Sequence, residues 1–345
     1  MPSNTAWWSE PWRPAARNDG WTYRDRVGAA EAGLCVSAFY TARHRHSDRA
    51  VWRGRLTAGE IERNGRPLRD DPPLLAGDRL AWHRPPWWEE AVPAAWTVLH
   101  DDGDLLVIDK PAGLPVLPAG GFLEHTVLRL LERRHADDPA GVPRPVHRLG
   151  RFTSGVLVCA RRPATRAWLS ARLRESTAAG LPAAGEEPTP FGCRKLYRAL
   201  LEPGTLALPP GQPLVITVPI GLRSHPRLGR IWCAAPEERP GDLRARSTFT
   251  LLERHPRAAL VEVAIASGRP HQIRIHAAAA GAPLLGDPLY RPGGGARPEA
   301  LPGEGGYCLQ AWRLELTRPD GERLHLEAPQ ALALPGMGLP GGGGP

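Results

Sequence analysis

Apolar residues in this chain arrive in short runs broken by glycine and proline, and that punctuation limits the possible folds more than any other feature. Runs of strand length lie at 96–100, 105–108, 155–160, 195–201, 214–218, 247–252, 261–266, 309–316 and 323–326. Within 261–266, Val261, Val263 and Ile265 share one face, as the two-residue period of a strand requires. In that part of the chain, helical spacing is confined to 126–134, a segment opening at Pro163, and 271–280. Many strands, few helices and no regular alternation of the two predict an α+β fold rather than a doubly wound sheet. Glycine (38) and proline (39) are abundant in the 345 residues, yet 42% of the chain is hydrophobic. That is enough to build a core, and it excludes a wholly disordered chain.

The texture of the sequence divides it. Residues 1–30, rich in Trp, Arg and Pro without periodicity, read as an irregular arm. Residues 31–86 predict a small domain of two helices and a short sheet, with Asn64-Gly65 as a hairpin turn. Pro85-Pro86 begins a stiff linker over 87–95, and the main domain covers 96–330. Segments 176–190 and 293–306 read as exposed insertions, and the glycine-rich 331–345 as a disordered tail. No stretch reaches the roughly 18 apolar residues of a membrane span, and no apolar signal core follows Met1. Five scattered cysteines form neither a disulfide framework nor a metal knuckle, which points to a reducing cytoplasm. The formal charge of +8 favours a nucleic-acid partner without naming one.

Four segments concentrate polar residues between rigid neighbours. Asp109-Lys-Pro-Ala-Gly-Leu-Pro115 sets an acid and one of only two lysines at a strand end. His147-Arg-Leu-Gly-Arg-Phe-Thr-Ser-Gly155 crowds Arg148, Arg151, Thr153 and Ser154 into nine residues. Arg194-Lys-Leu-Tyr197 places an aromatic ring beside Lys195, suited to stacking on a base or, equally, to filling a core. Gly268-Arg-Pro-His-Gln-Ile-Arg-Ile-His276 leads Arg269, His271, Gln272, Ile273 and Arg274 into a helix. The first, second and fourth of these segments together suit a cationic bowl for a sugar phosphate or a base in RNA. His147, His271 and His276 lack any cysteine or acid at short ligand spacing, so no metal is expected.

Taken in order, and joined by Leu284-Leu-Gly-Asp-Pro-Leu-Tyr290, these motifs resemble the RluA-type RNA pseudouridine synthases across residues 96–329. The 31–86 region resembles the S4-type RNA-binding module, through Gly59-Glu-Ile, Asn64-Gly65 and Leu75-Ala-Gly-Asp78. On such a module Arg53 and Arg55 would touch phosphates. The resemblance implies a catalytic domain on a mixed, mainly antiparallel sheet, preceded by a small α/β domain. It also implies a monomer acting on structured RNA, ribosomal or transfer, with no metal, membrane or nucleotide cofactor. In that family the base is flipped into the pocket, detached from C1′, turned and rejoined through C5. The family's aspartate acts as nucleophile or base, the arginine matching Arg274 pairs with it, and the tyrosine matching Tyr197 stacks on the base.

One position departs from that pattern. Where the family carries its aspartate in His-Arg-Leu-Asp, this chain has Gly150, with every flanking residue of the motif kept. Three readings follow: another carboxylate serves, for which Asp109 is a candidate; the chain binds RNA without chemistry, acting by occupancy or by assisting folding; or the fold carries another reaction, for which the sequence offers no alternative triad or metal set. Asp287 matches an aspartate that the family keeps in addition to the catalytic one.

Overall fold

A computed structural model describes residues 11–44, 47–175, 193–204, 208–265 and 268–334. The 176–190 segment and the chain beyond residue 334 lie outside the described residues. Two compact units are present, one of residues 15–90 with 224–230, the other holding the rest.

The smaller unit packs two helices, Val36–Arg43 and Arg49–Thr57, with a four-stranded sheet. Asp48 starts the second helix by accepting the Val51 amide proton at 2.8 Å, one of the donors a helix N-terminus leaves over. Its core is aromatic, with Tyr40 stacked on Trp52 and Trp52 edge-on to Trp82. Asn64 and Gly65 both take positive φ, as a two-residue hairpin turn between Ile61–Arg63 and Arg66–Pro67 demands. The predicted arm over 1–30 is not irregular where it is described. Trp21–Arg26 pairs along its whole length with Arg79–Arg84 and so belongs to this sheet. Its polar alternation conceals a strand that buries only one side.

The supposed linker at 87–95 is likewise structured. Trp88–Glu89 pairs with Ala16–Arg17 and Val92–Pro93 with Trp12–Arg13. Val92 and Ala94 are fully buried in a core of the larger unit, so the segment that passes from one unit to the other at residues 90–91 does so in short paired strands.

The larger unit is an α+β domain on a ten-stranded mixed sheet. Along its main path the order is Leu214–Ile216, Ser247–His255, Ala258–Ile265, Cys193–Leu201, Leu309–Thr317, Thr153–Ala160, Leu105–Lys110 and Thr97–Asp101. Neighbours are antiparallel except Thr153–Ala160 beside Leu309–Thr317, which run parallel. That pair starts level, Thr153 opposite Leu309, so the loops preceding both strands open at one place. Alternation divides the Leu105–Lys110 strand: Leu106 and Ile108 face Leu130, Leu131 and Leu149, whereas Leu105 and Val107 face Leu169, Trp312 and Leu314. The predicted helices appear as Val127–Arg134, Pro163–Glu175 and Gln272–Ala279. A hairpin of Ile220–His225 with Gly229–Ala234 has no counterpart in the sequence pattern, its Gly-Leu-Arg-Ser-His run being too polar to signal a strand.

Two further expectations change. The 293–306 segment is not a mere exposed insertion: Ala300 is buried, and the carbonyls of Pro302 and Gly303 accept hydrogen bonds from Arg274 and Arg151. Residues 331–334 also pack, Leu334 lying in a cluster with Leu200, Ala258 and Leu260.

Candidate active site

The parallel pairing brings the 147–155 loop against the lead into Leu309–Thr317, and Gly150 and Tyr307 meet there. A Cβ built on Gly150 would collide with the Tyr307 hydroxyl, and would lie 3.2 Å from Thr153 Oγ1. The same hydroxyl is 3.3 Å from Thr153 Oγ1, within hydrogen-bonding distance. The phenol oxygen thus occupies the space a side chain at position 150 would need.

Arg274 lies behind that ring, its guanidinium carbon 4.1 Å from the Tyr307 centroid and 5.1 Å from that of Tyr290. Its Nε and Nη2 donate to the two oxygens of Asp287, each at 2.7 Å, and the pair is almost fully buried. Burial alone would lower the Arg274 pKa, but the Asp287 hydrogen bonds and the nearby tyrosines raise it. The arginine therefore has its anion, and that anion is Asp287. Asp287 Oδ1 also takes the amide protons of Leu289 and Tyr290.

His271, in the left-handed conformation at φ 54°, caps the helix carrying Arg274. Its Nδ1 lies 2.7 Å from the Tyr290 hydroxyl, which gives its own proton to the Trp232 carbonyl. Nδ1 must then be the donor, leaving Nε2 as an acceptor. Burial, with Arg274 adding to it and Arg148 contributing, holds the His271 pKa at about 3, so the ring stays neutral. Arg148 itself is exposed beside this site. Arg151 lies near the rings of Phe122 and Phe152 while donating to the carbonyls of Gly113 and Gly303, bridging the loops on either side. Tyr197 packs between the cluster holding Tyr307 and that holding Leu149, and burial pushes its pKa up to about 12.

Several predicted site residues have structural duties instead. His147 Nε2 accepts the Val158 amide proton, and burial lowers its pKa to about 4. Lys195 donates to the Leu173 carbonyl. Gln272 donates to the Arg246 carbonyl and to Ser247, Ile273 is core, and Arg269 holds the Arg244 carbonyl. Ser154 sits within the sheet opposite Gln310. In the smaller unit Arg53 pairs with Asp71 at 3.4 Å, and Arg55 lies over the rings of Trp52 and Trp82.

Asp109, the candidate substitute carboxylate, lies on the other side of its strand. It alternates with Lys110, so it shares the face of Leu105 and Val107, opposite that on which Leu149 packs. Burial raises its pKa there. Lys110, fully buried, donates to the carbonyls of Pro111, Leu114 and Arg151 and so ties two site loops together. Sequence reasoning missed Tyr307 because no quoted motif contains it. Its place, two residues before a strand paired with the Thr153 strand, emerges only from the sheet topology.

Comparison with known proteins agrees with the resemblance seen in the motifs. Residues 104–279 match the RNA pseudouridylate synthase family. An RNA pseudouridine synthase of Synechocystis sp. is 40% identical over 299 residues, covering 86% of this chain and 91% of that protein. RNA pseudouridine synthase 5 of Arabidopsis thaliana is 36% identical over 87% of this chain and 89% of its own length. Ribosomal large subunit pseudouridine synthase D of Nitrosomonas europaea is 33% identical over 70% of this chain and 63% of its own length.

Proposed function

The chain belongs to the RNA pseudouridine synthase family, and we propose that it isomerises uridine at a defined position of a structured ribosomal or transfer RNA. It is an intramolecular isomerase, so the substrate contributes every atom of the product. The observation that carries the assignment is convergence. Gly150 meets Tyr307, whose ring lies on Arg274 paired with Asp287, and Tyr197 packs against both the cluster holding Tyr307 and that holding Leu149, so distant parts of the chain converge here.

The smaller unit supports an S4-like role in holding the RNA outside the pocket. Arg53, Arg66 and Arg79 are exposed on it and suit phosphate contacts. The likeness to a ribosomal large subunit synthase favours ribosomal RNA over transfer RNA. All five cysteines are free, which suits a reducing cytoplasm, and a monomer is sufficient because one chain supplies the whole site.

Deleting the gene and mapping pseudouridine by mass spectrometry in each RNA class tests this reading. Loss of a discrete site, restored by the wild-type gene, is the expected result. Unchanged modification in every class under conditions of expression, together with tight RNA binding, would favour the non-catalytic reading. That alternative draws on Gly150 and on the pairing of the Asp287 carboxylate with Arg274.

A further inference from the structure

Uridine isomerisation needs a group that can give and take a proton beside the reacting sugar and base, and the usual carboxylate position is empty of one. Asp287 is engaged by Arg274 and two amides, and Asp109 lies on the opposite sheet face. The atoms at the position of a side chain on residue 150 are the Tyr307 hydroxyl and, next to it, Thr153 Oγ1. Of those two kinds of hydroxyl, a phenol is a far stronger acid than an aliphatic alcohol, because its conjugate base is delocalised into the ring. Its ring is fixed from behind by the Arg274 guanidinium, itself locked by Asp287.

We infer that Tyr307 is the acid–base catalytic residue of this enzyme, its phenol delivered from the neighbouring strand lead into the place vacated at Gly150. The inference rests on the chain being a pseudouridine synthase. As the C1′–N1 bond breaks, its electron pair stays with the uracil, and the phenol gives its proton to uracil O2. The ribosyl cation and the phenolate remain, the latter beside the Arg274 charge. The uracil turns, and the C5–C6 π pair forms the new bond from C5 to C1′. The phenolate then takes the C5 proton, and tautomerisation leaves the transferred proton on N1. Tyr307 is regenerated, and no outside reagent is consumed.

Gly150 and Tyr307 are then a matched pair, because any side chain at 150 displaces the hydroxyl. The test is single-turnover conversion of the mapped RNA by wild type, Tyr307→Phe and Gly150→Ala, with RNA affinity and melting temperature measured alongside. Tyr307→Phe keeps the ring on Arg274 and removes one oxygen. It should lower the conversion rate about 100- to 10,000-fold, with RNA affinity within threefold and melting unchanged. Gly150→Ala, which removes no functional atom, should also lose conversion by pushing the hydroxyl aside. Conversion by Tyr307→Phe within twofold of wild type, or wild-type conversion by Gly150→Ala, would overturn the role of Tyr307 while leaving the synthase assignment intact. A wild-type protein inert on every RNA would instead defeat the assignment on which the inference rests.

Discussion

Arg274 joins two duties at one residue: it neutralises a fully buried carboxylate and backs the ring of Tyr307. Removing one partner of such a pair leaves an uncompensated charge, so Arg274→Ala should cost about 3–5 kcal/mol of folding stability, read by urea unfolding. The Arg274→Ala/Asp287→Ala double variant should lose less than the two single losses added together. Additive losses would mean that the pair is not coupled. Lys110 is a second such residue. Burial draws its pKa down to about 7, with Asp109 opposing, while three carbonyls accept its protons. Lys110→Met keeps the volume and strands those acceptors, a change expected to cost about 2–4 kcal/mol. A loss under 0.5 kcal/mol in urea unfolding would show that water reaches the carbonyls instead. The sequence marked both cations by their scarcity or their motif. It did not show which carboxylate Arg274 meets, because Asp287 lies thirteen residues away around a turn.

At the scale of elements, the site depends on the parallel neighbours Thr153–Ala160 and Leu309–Thr317. Gly155 makes their approach possible. Its φ is 99°, and a Cβ there would strike the backbone of Ala311. Gly155→Ala should therefore destabilise the domain by about 2–4 kcal/mol through strain and overpacking together. An unfolding midpoint equal to that of wild type would contradict this close approach. Most strands were legible, since alternating apolar residues, as at Val261, Val263 and Ile265, announce a half-buried ladder. Trp21–Arg26 was not, because its polar residues hide the pairing with Arg79–Arg84. Nor was the Gly150–Tyr307 encounter: it follows from strand order across 157 residues, which no local pattern encodes.

Across the whole molecule, three histidines of the site motifs are held neutral by the fold. Burial is the main cause, and their pKa values fall from 6.5 to about 4 for His147, about 3 for His271 and about 4 for His276. The unfolded chain binds more protons than the native one between those values and 6.5, so stability rises with pH across that window. Their contribution is fully present above pH 6.5 and is lost as pH falls toward 4, at about 1.4 kcal/mol per pH unit for each ring. His276→Gln should accordingly reduce proton uptake on unfolding near pH 5 by close to one. An unchanged uptake would show that His276 is already charged in the native state. The same fold that buries these rings leaves Arg148 exposed two residues before Gly150, where its charge adds to the lowering of the His271 pKa. The central claim is that a chain with glycine at the aspartate position still isomerises uridine. Its most direct test is tritium release from purified target RNA carrying [5-³H]uridine, because only the isomerisation expels the hydrogen on C5. One equivalent released per modified site, with pseudouridine formed in step, is predicted. Stoichiometric RNA binding with no tritium released would contradict it.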